Sequence, residues 1–143
     1  MLVKNEYYQE VELNSILVGI LNDYNKNPNI EVSENEAKRA LAKMYGDSNI
    51  IVNQHIFKNK NYAMPEAQLQ LQQESVIGKL WDLLKEKICN KFDEETEQQK
   101  IAEIAGEAIL EIIPGKILLK PLLEIILFYI LKFGHKIVCN VKV

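Results

Sequence analysis

Apolar side chains at Leu13, Ile16, Leu17, Ile20, Leu21 and Tyr24 recur at three- and four-residue steps. That spacing predicts an amphipathic helix over Glu6–Tyr24, closed by the Asn-rich stretch 22–29 with its Pro28. A second helix is signalled by Ser33, an N-cap residue, with Glu36 three positions on in capping-box spacing. Its stripe is Ala37, Ala40, Leu41 and Met44, and Gly46 suits a left-handed terminus. Asn49–Phe57 (NIIVNQHIF) is rich in β-branched residues and reads as a strand or an irregular packed connection. Its natural partner is Ile137–Val143, where Ile137, Cys139, Val141 and Val143 alternate onto one face.

Asn59–Pro65 reads as a loop, after which helical character builds through the glutamine-rich run QLQLQQES. Ile77, Leu80, Trp81, Leu84 and Ile88 define a strong helical face, reinforced by Val76 and Phe92. Asp93–Ile113 predicts a long helix with acids crowded into its first turns, where the helix dipole favours them. Ile101, Ile104, Ala105, Ala108, Ile109 and Ile112 line one side of it, and Glu103, Glu107 and Glu111 another. Pro114-Gly115 breaks the run. Lys116–Phe133 then predicts a helix apolar over most of its circumference, and so either central in the fold or buried against something else, with Pro121 either in its first turns or at a kink, and Gly134 as a terminator. These elements make a mainly α fold: a bundle of about five helices with a minor two-stranded β element. One domain over residues 1–143 contains a helical hairpin, 93–136.

Composition is that of an ordinary globular chain: 143 residues, 48% hydrophobic and 26% charged. These values exclude collagen-like and wholly disordered classes. The formal net charge of -3 hides a separation. Residues 93–111 carry seven acids against one lysine, and 112–143 carry five lysines against one glutamate. Opposite charge at the rims favours pairing of the two helices, by a few tenths of a kcal/mol per exposed pair. The small net charge and single arginine argue against a nucleic-acid partner, although Lys38, Arg39, Lys43, Lys58 and Lys60 are available to a phosphate backbone.

The basic helix carries the candidate function. Leu119, Leu123, Leu127 and Ile130 form its candidate interaction face toward another protein or a second copy of the chain. Lys116, Lys120, Lys132 and Lys136 are candidate contacts to an anionic membrane surface. Crossing a bilayer is a poor reading, because the longest uncharged stretch of this helix is Ile125–Leu131, seven residues, where a span needs about 20. Two distant cysteines, Cys89 and Cys139, suggest reduced thiols and a cytoplasmic protein, with a peripheral place at the membrane as the alternative. The opening MLVKNEYYQEVELN lacks the pattern of a signal peptide.

Catalytic signals are weak. The chain has no CxxC or HExxH motif and no Gly-rich phosphate loop, and the Glu103/Glu107/Glu111 row lacks the Glu-x-x-His partners of a di-metal bundle. His55 reads as a strand-edge or core-rim residue and His135 as a helix-end residue. Cys89 lies near Lys85 and Lys87, which alone does not make a catalytic thiol. No catalytic residue, metal or cofactor is expected. The leading reading is an intracellular interaction or regulatory module acting through a hydrophobic helix face. The rivals are a peripheral membrane effector or anchor and a small enzyme whose site the sequence does not reveal.

Overall fold

The computed structural model describes residues 1–56 and 74–139. They form a mainly α bundle with one small two-stranded antiparallel sheet. The sheet lies at the start of the chain. Strands β1 (Leu2–Lys4) and β2 (Glu10–Glu12) pair with Leu2 opposite Glu12, Val3 opposite Val11 and Lys4 opposite Glu10. Asn5 organises the loop between them. Its carbonyl accepts the Tyr8 N–H at 2.9 Å, and its Oδ1 accepts the N–H groups of Tyr7 and Gln9 at 2.9 and 3.0 Å. Tyr8 closes the loop at φ 62°, a left-handed position that glycine usually fills in such hairpins. The backbone cost, about 1–2 kcal/mol, is opposed by side-chain contacts. The Tyr8 ring stacks on His55 with centroids 3.8 Å apart, and Lys4 Nζ lies 4.9 Å from its centre.

Because the hairpin takes residues up to Glu12, helix α1 spans Leu13–Lys26 and not Glu6–Tyr24. The Leu13 N–H donates to the Met1 carbonyl at 3.0 Å, so the ladder hands over directly to the helix. Leu13, Leu17, Ile20, Leu21 and Tyr24 are buried as the periodicity predicts.

Helix α2 spans Glu34–Ile56. Ser33 caps it, its Oγ accepting the Glu36 N–H at 3.1 Å. The expected stop at Gly46 and the expected strand at 49–57 are both overturned, since the helix runs on through Ile56. Tertiary packing overrides the β propensity here. Ser48 is wholly buried and its Oγ donates to the Ile117 carbonyl at 3.1 Å, while Ile51 and Val52 pack against the core. The proposed partner strand is overturned in part as well: Ile137 and Val138 belong to the last helix. Residues 140–143, the Asn59–Pro65 loop and the glutamine run 68–73 lie outside the described residues.

Helix α3 (Glu74–Ile88) buries Ile77, Trp81, Leu84 and Ile88, with Phe92 buried just beyond it. Helix α4 (Gln98–Ile112) begins later than the expected Asp93. Asp93 makes its own turn instead: its Oδ1 accepts the Glu95 N–H at 2.9 Å and the Thr96 hydroxyl at 3.1 Å. A single 3₁₀ turn follows at Pro114–Lys116, with Gly115 at φ 71°. Residues 117–119 are then extended. The Leu118 N–H donates to the Lys4 carbonyl at 2.8 Å, and Ile117 bridges Lys4 in parallel. Strand β1 is thus held on both edges.

Helix α5 (Lys120–Val138) consequently starts after Lys116, with Pro121 in its first turn, where a missing N–H costs nothing. It packs against α1, α2 and α4. Gly134, at φ 68° and ψ -172°, breaks it before its last turn. That backbone region is essentially closed to residues other than glycine.

Candidate functional site

The four apolar residues assigned to a binding face are in the core. Leu123, Leu127 and Ile130 have no exposed surface, and Leu119 is buried as well. The chain's own helices cover them, so a partner reaches them only if α5 leaves the bundle. An all-round apolar helix must be either central in the fold or buried against a partner, and here it is central, which removes these four residues from the surface.

The lysines are exposed, but three of the four are engaged. Lys120 Nζ lies 3.9 Å from Asp23 Oδ2, Lys132 Nζ donates to the Ile30 carbonyl at 2.7 Å, and Lys136 Nζ lies 3.4 Å from Glu94 Oε1. Lys116 is exposed on the 3₁₀ turn. Lys136–Glu94 joins the basic and acidic blocks, whereas Lys120 meets Asp23 of α1. Glu111 pairs with Lys87 of α3 at 3.0 Å, and that hydrogen bond and charge hold its carboxyl below the ordinary carboxylate range.

Two polar groups on α5 face charged neighbours across the bundle. Burial holds the Glu124 carboxyl above its ordinary range, helped by a hydrogen bond and repulsion from Asp23 and opposed by Lys120. The Tyr129 hydroxyl donates to Glu34 Oε2 at 3.2 Å. Burial, then the Glu34 charge, push its pKa up to about 12. Trp81, whose ring lies 5.8 Å from that of Tyr129, buries an indole N–H that has no hydrogen-bond partner among the described residues. Such an orphan donor costs about 1–3 kcal/mol.

The cysteines are not free thiols. Cys89 and Cys139 are joined in a disulfide across 50 residues, with Cα atoms 5.7 Å apart. The reading of two unrelated reduced thiols is overturned. Their separation in sequence concealed that the ends of α3 and α5 meet. His135, read as a helix-end residue, lies in the turn beyond the Gly134 break, its Nε2 3.2 Å from the Cys89 carbonyl oxygen. His55 sits in the last turn of α2 and not on a strand edge.

Exposed apolar side chains lie elsewhere. Among the described residues the large ones are Met1, Leu2, Tyr7, Val18, Leu83 and Ile137. Three of them belong to the N-terminal hairpin, with Tyr7 at the tip 75% exposed. The missed signal was the short alternation around Val3 and Val11, flanking a turn-forming Asn5. Among the described residues no helix is long and apolar enough to cross a membrane, and no group of three or more His, Cys, Asp or Glu side chains is placed to hold a metal ion. No protein-family model, curated protein or solved structure matches the chain.

Proposed function

We propose that the chain is a small helical interaction module whose binding surface is the N-terminal hairpin and whose partner is a second copy of itself. One observation carries this: Leu2 and Tyr7 are more than half exposed on a hairpin that is anchored rather than free. Val3 is in the core, and Lys4 is bonded to Leu118, so the exposed side chains are held in place before any partner arrives. Strand β2 pairs only with β1 among the described residues, which leaves its outer edge open. The glutamates on that edge are already compensated, Glu10 by Lys4 at 3.5 Å and Glu12 by the terminal amine at 3.4 Å. Two such edges can meet about a twofold axis with little like-charge penalty, bringing Leu2 and Tyr7 of both copies together.

The α5 reading, by contrast, now requires the helix to leave the bundle and give up its contacts to Glu34, Ile30 and Asp23. A membrane-surface role for α5 has the same requirement. The compartment reading shifts with the cysteines: a bonded pair favours an oxidising or redox-varying setting over a steadily reducing cytoplasm.

Light scattering across a concentration series tests the proposal. The native chain should approach twice its 16.5 kDa mass. The Leu2→Lys, Tyr7→Ser double variant should stay monomeric while keeping its helical circular dichroism. A native chain that is monomeric at about 100 μM, the affinity range of weak complexes, would overturn it.

A further inference from the structure

We propose that the Cys89–Cys139 bond is a reducible latch that holds down the last turn of α5, with Gly134 as its hinge. The bond joins a residue just past the end of α3 to the residue just past the end of α5. Both cysteines are half-buried rather than sealed in the core, which puts the bond near the surface where a reductant arrives. They are the chain's only cysteines, so no other pairing competes within one copy.

Local release follows from where the helix breaks. Gly134 is non-helical, so residues 135–139 are not supported by an unbroken ladder from the body of α5. Besides the disulfide, that turn is held by His135 against the Cys89 carbonyl and edge-on to Phe92, by the exposed Lys136–Glu94 pair and by burial of Val138. The body of α5 is anchored independently, through Leu123, Ile126, Leu127 and Ile130, none of which has exposed surface. Cutting the bond therefore loosens the turn first. What it uncovers is apolar: Val138 and the ring of Phe92, just beyond α3.

The reductant is a dithiol. One of its thiolates attacks a sulfur of the pair, the Cys89–Cys139 bond breaks, and a mixed disulfide forms as the other cysteine leaves as a thiolate. The second thiol of the reductant attacks the mixed disulfide and frees the remaining cysteine. The reductant becomes a disulfide, two electrons pass to the protein, and the cysteine thiolates take up protons according to pH.

Hydrogen exchange on the full chain, with and without dithiothreitol, tests the latch. The expected result is that amides of 135–139 exchange about tenfold faster or more after reduction, while those of 123–130 stay protected. Cys139→Ser should show the fast pattern without reductant and no further response to it. Cys89→Ser should match it, which separates loss of the bond from loss of one side chain. Unchanged protection of 135–139 in the reduced protein would overturn the latch. So would loss of protection throughout α5, because the bond would then be a global staple and not a local catch.

Discussion

Glu124 is where a single side chain sets a pH response. Its carboxyl is raised above the reference value of 4.5, chiefly by burial and then by Asp23. A raised acid contributes its stability below the unfolded pKa and loses it as pH climbs through the folded value. At neutral pH the ionised Glu124 therefore opposes folding, with Lys120 recovering part of the loss. Glu124→Gln keeps a hydrogen-bonding group for Asp23 without the charge. It should raise the melting temperature at pH 7, and the gain should shrink as the pH is lowered to about 4 and the native carboxyl takes up its proton. Thermal melts of both proteins at the two pH values read this directly. A variant that melts lower at pH 7 would mean that attraction to Lys120 outweighs burial and Asp23. Glu111 runs the other way. Its lowered pKa is a contribution present at neutral pH and lost in acid, although its exposure keeps that contribution small.

At the scale of elements, local signals succeeded wherever side chains act on their own backbone or repeat along one face. Ser33 illustrates the first case. Its cap on α2 was visible in four residues, and Ser33→Ala should cost about 1 kcal/mol, seen as a lower urea midpoint with an unchanged slope. The Ile77–Ile88 and Ile101–Ile109 stripes illustrate the second, since both are buried in register with their spacing. Failures occurred where distant residues decide. Asn49–Ile56 carries strand-forming residues, yet it is helical because Ser48 meets Ile117 and the segment packs on the core. Asp93 is a local exception to both statements: it signalled a helix start, but its side chain bonds to Glu95 and Thr96 and delays the helix to Gln98. The disulfide was beyond reach for the same reason as the strand: it needs two helix ends 50 residues apart to be neighbours. The candidate face on α5 was legible as apolar and in need of cover, with its own chain and a partner both open as the cover. Hydrophobicity marks a helix for burial without saying what buries it.

For the molecule as a whole, one contiguous core joins every described element, from Val3 of the hairpin to Val138 of α5. Trp81, the chain's only tryptophan and fully buried, reports on that core. With the disulfide intact, its fluorescence and the far-ultraviolet circular dichroism should lose signal in a single coincident thermal transition. Two separated transitions would show that the helices do not unfold as one unit. The bond between Lys4 and Leu118 has a further consequence, in the order in which a ribosome delivers the chain. Residues 2–4 emerge about a hundred residues before 117–119, which at typical translation rates is a wait on the order of ten seconds. For that interval the first strand has only β2 beside it, and a lone hairpin is marginal in water. Residues 2–4, made well before 117–119, are thus among the last to be fixed in place, and until then Leu2 and Val3 are available to any chaperone that recognises extended apolar chain.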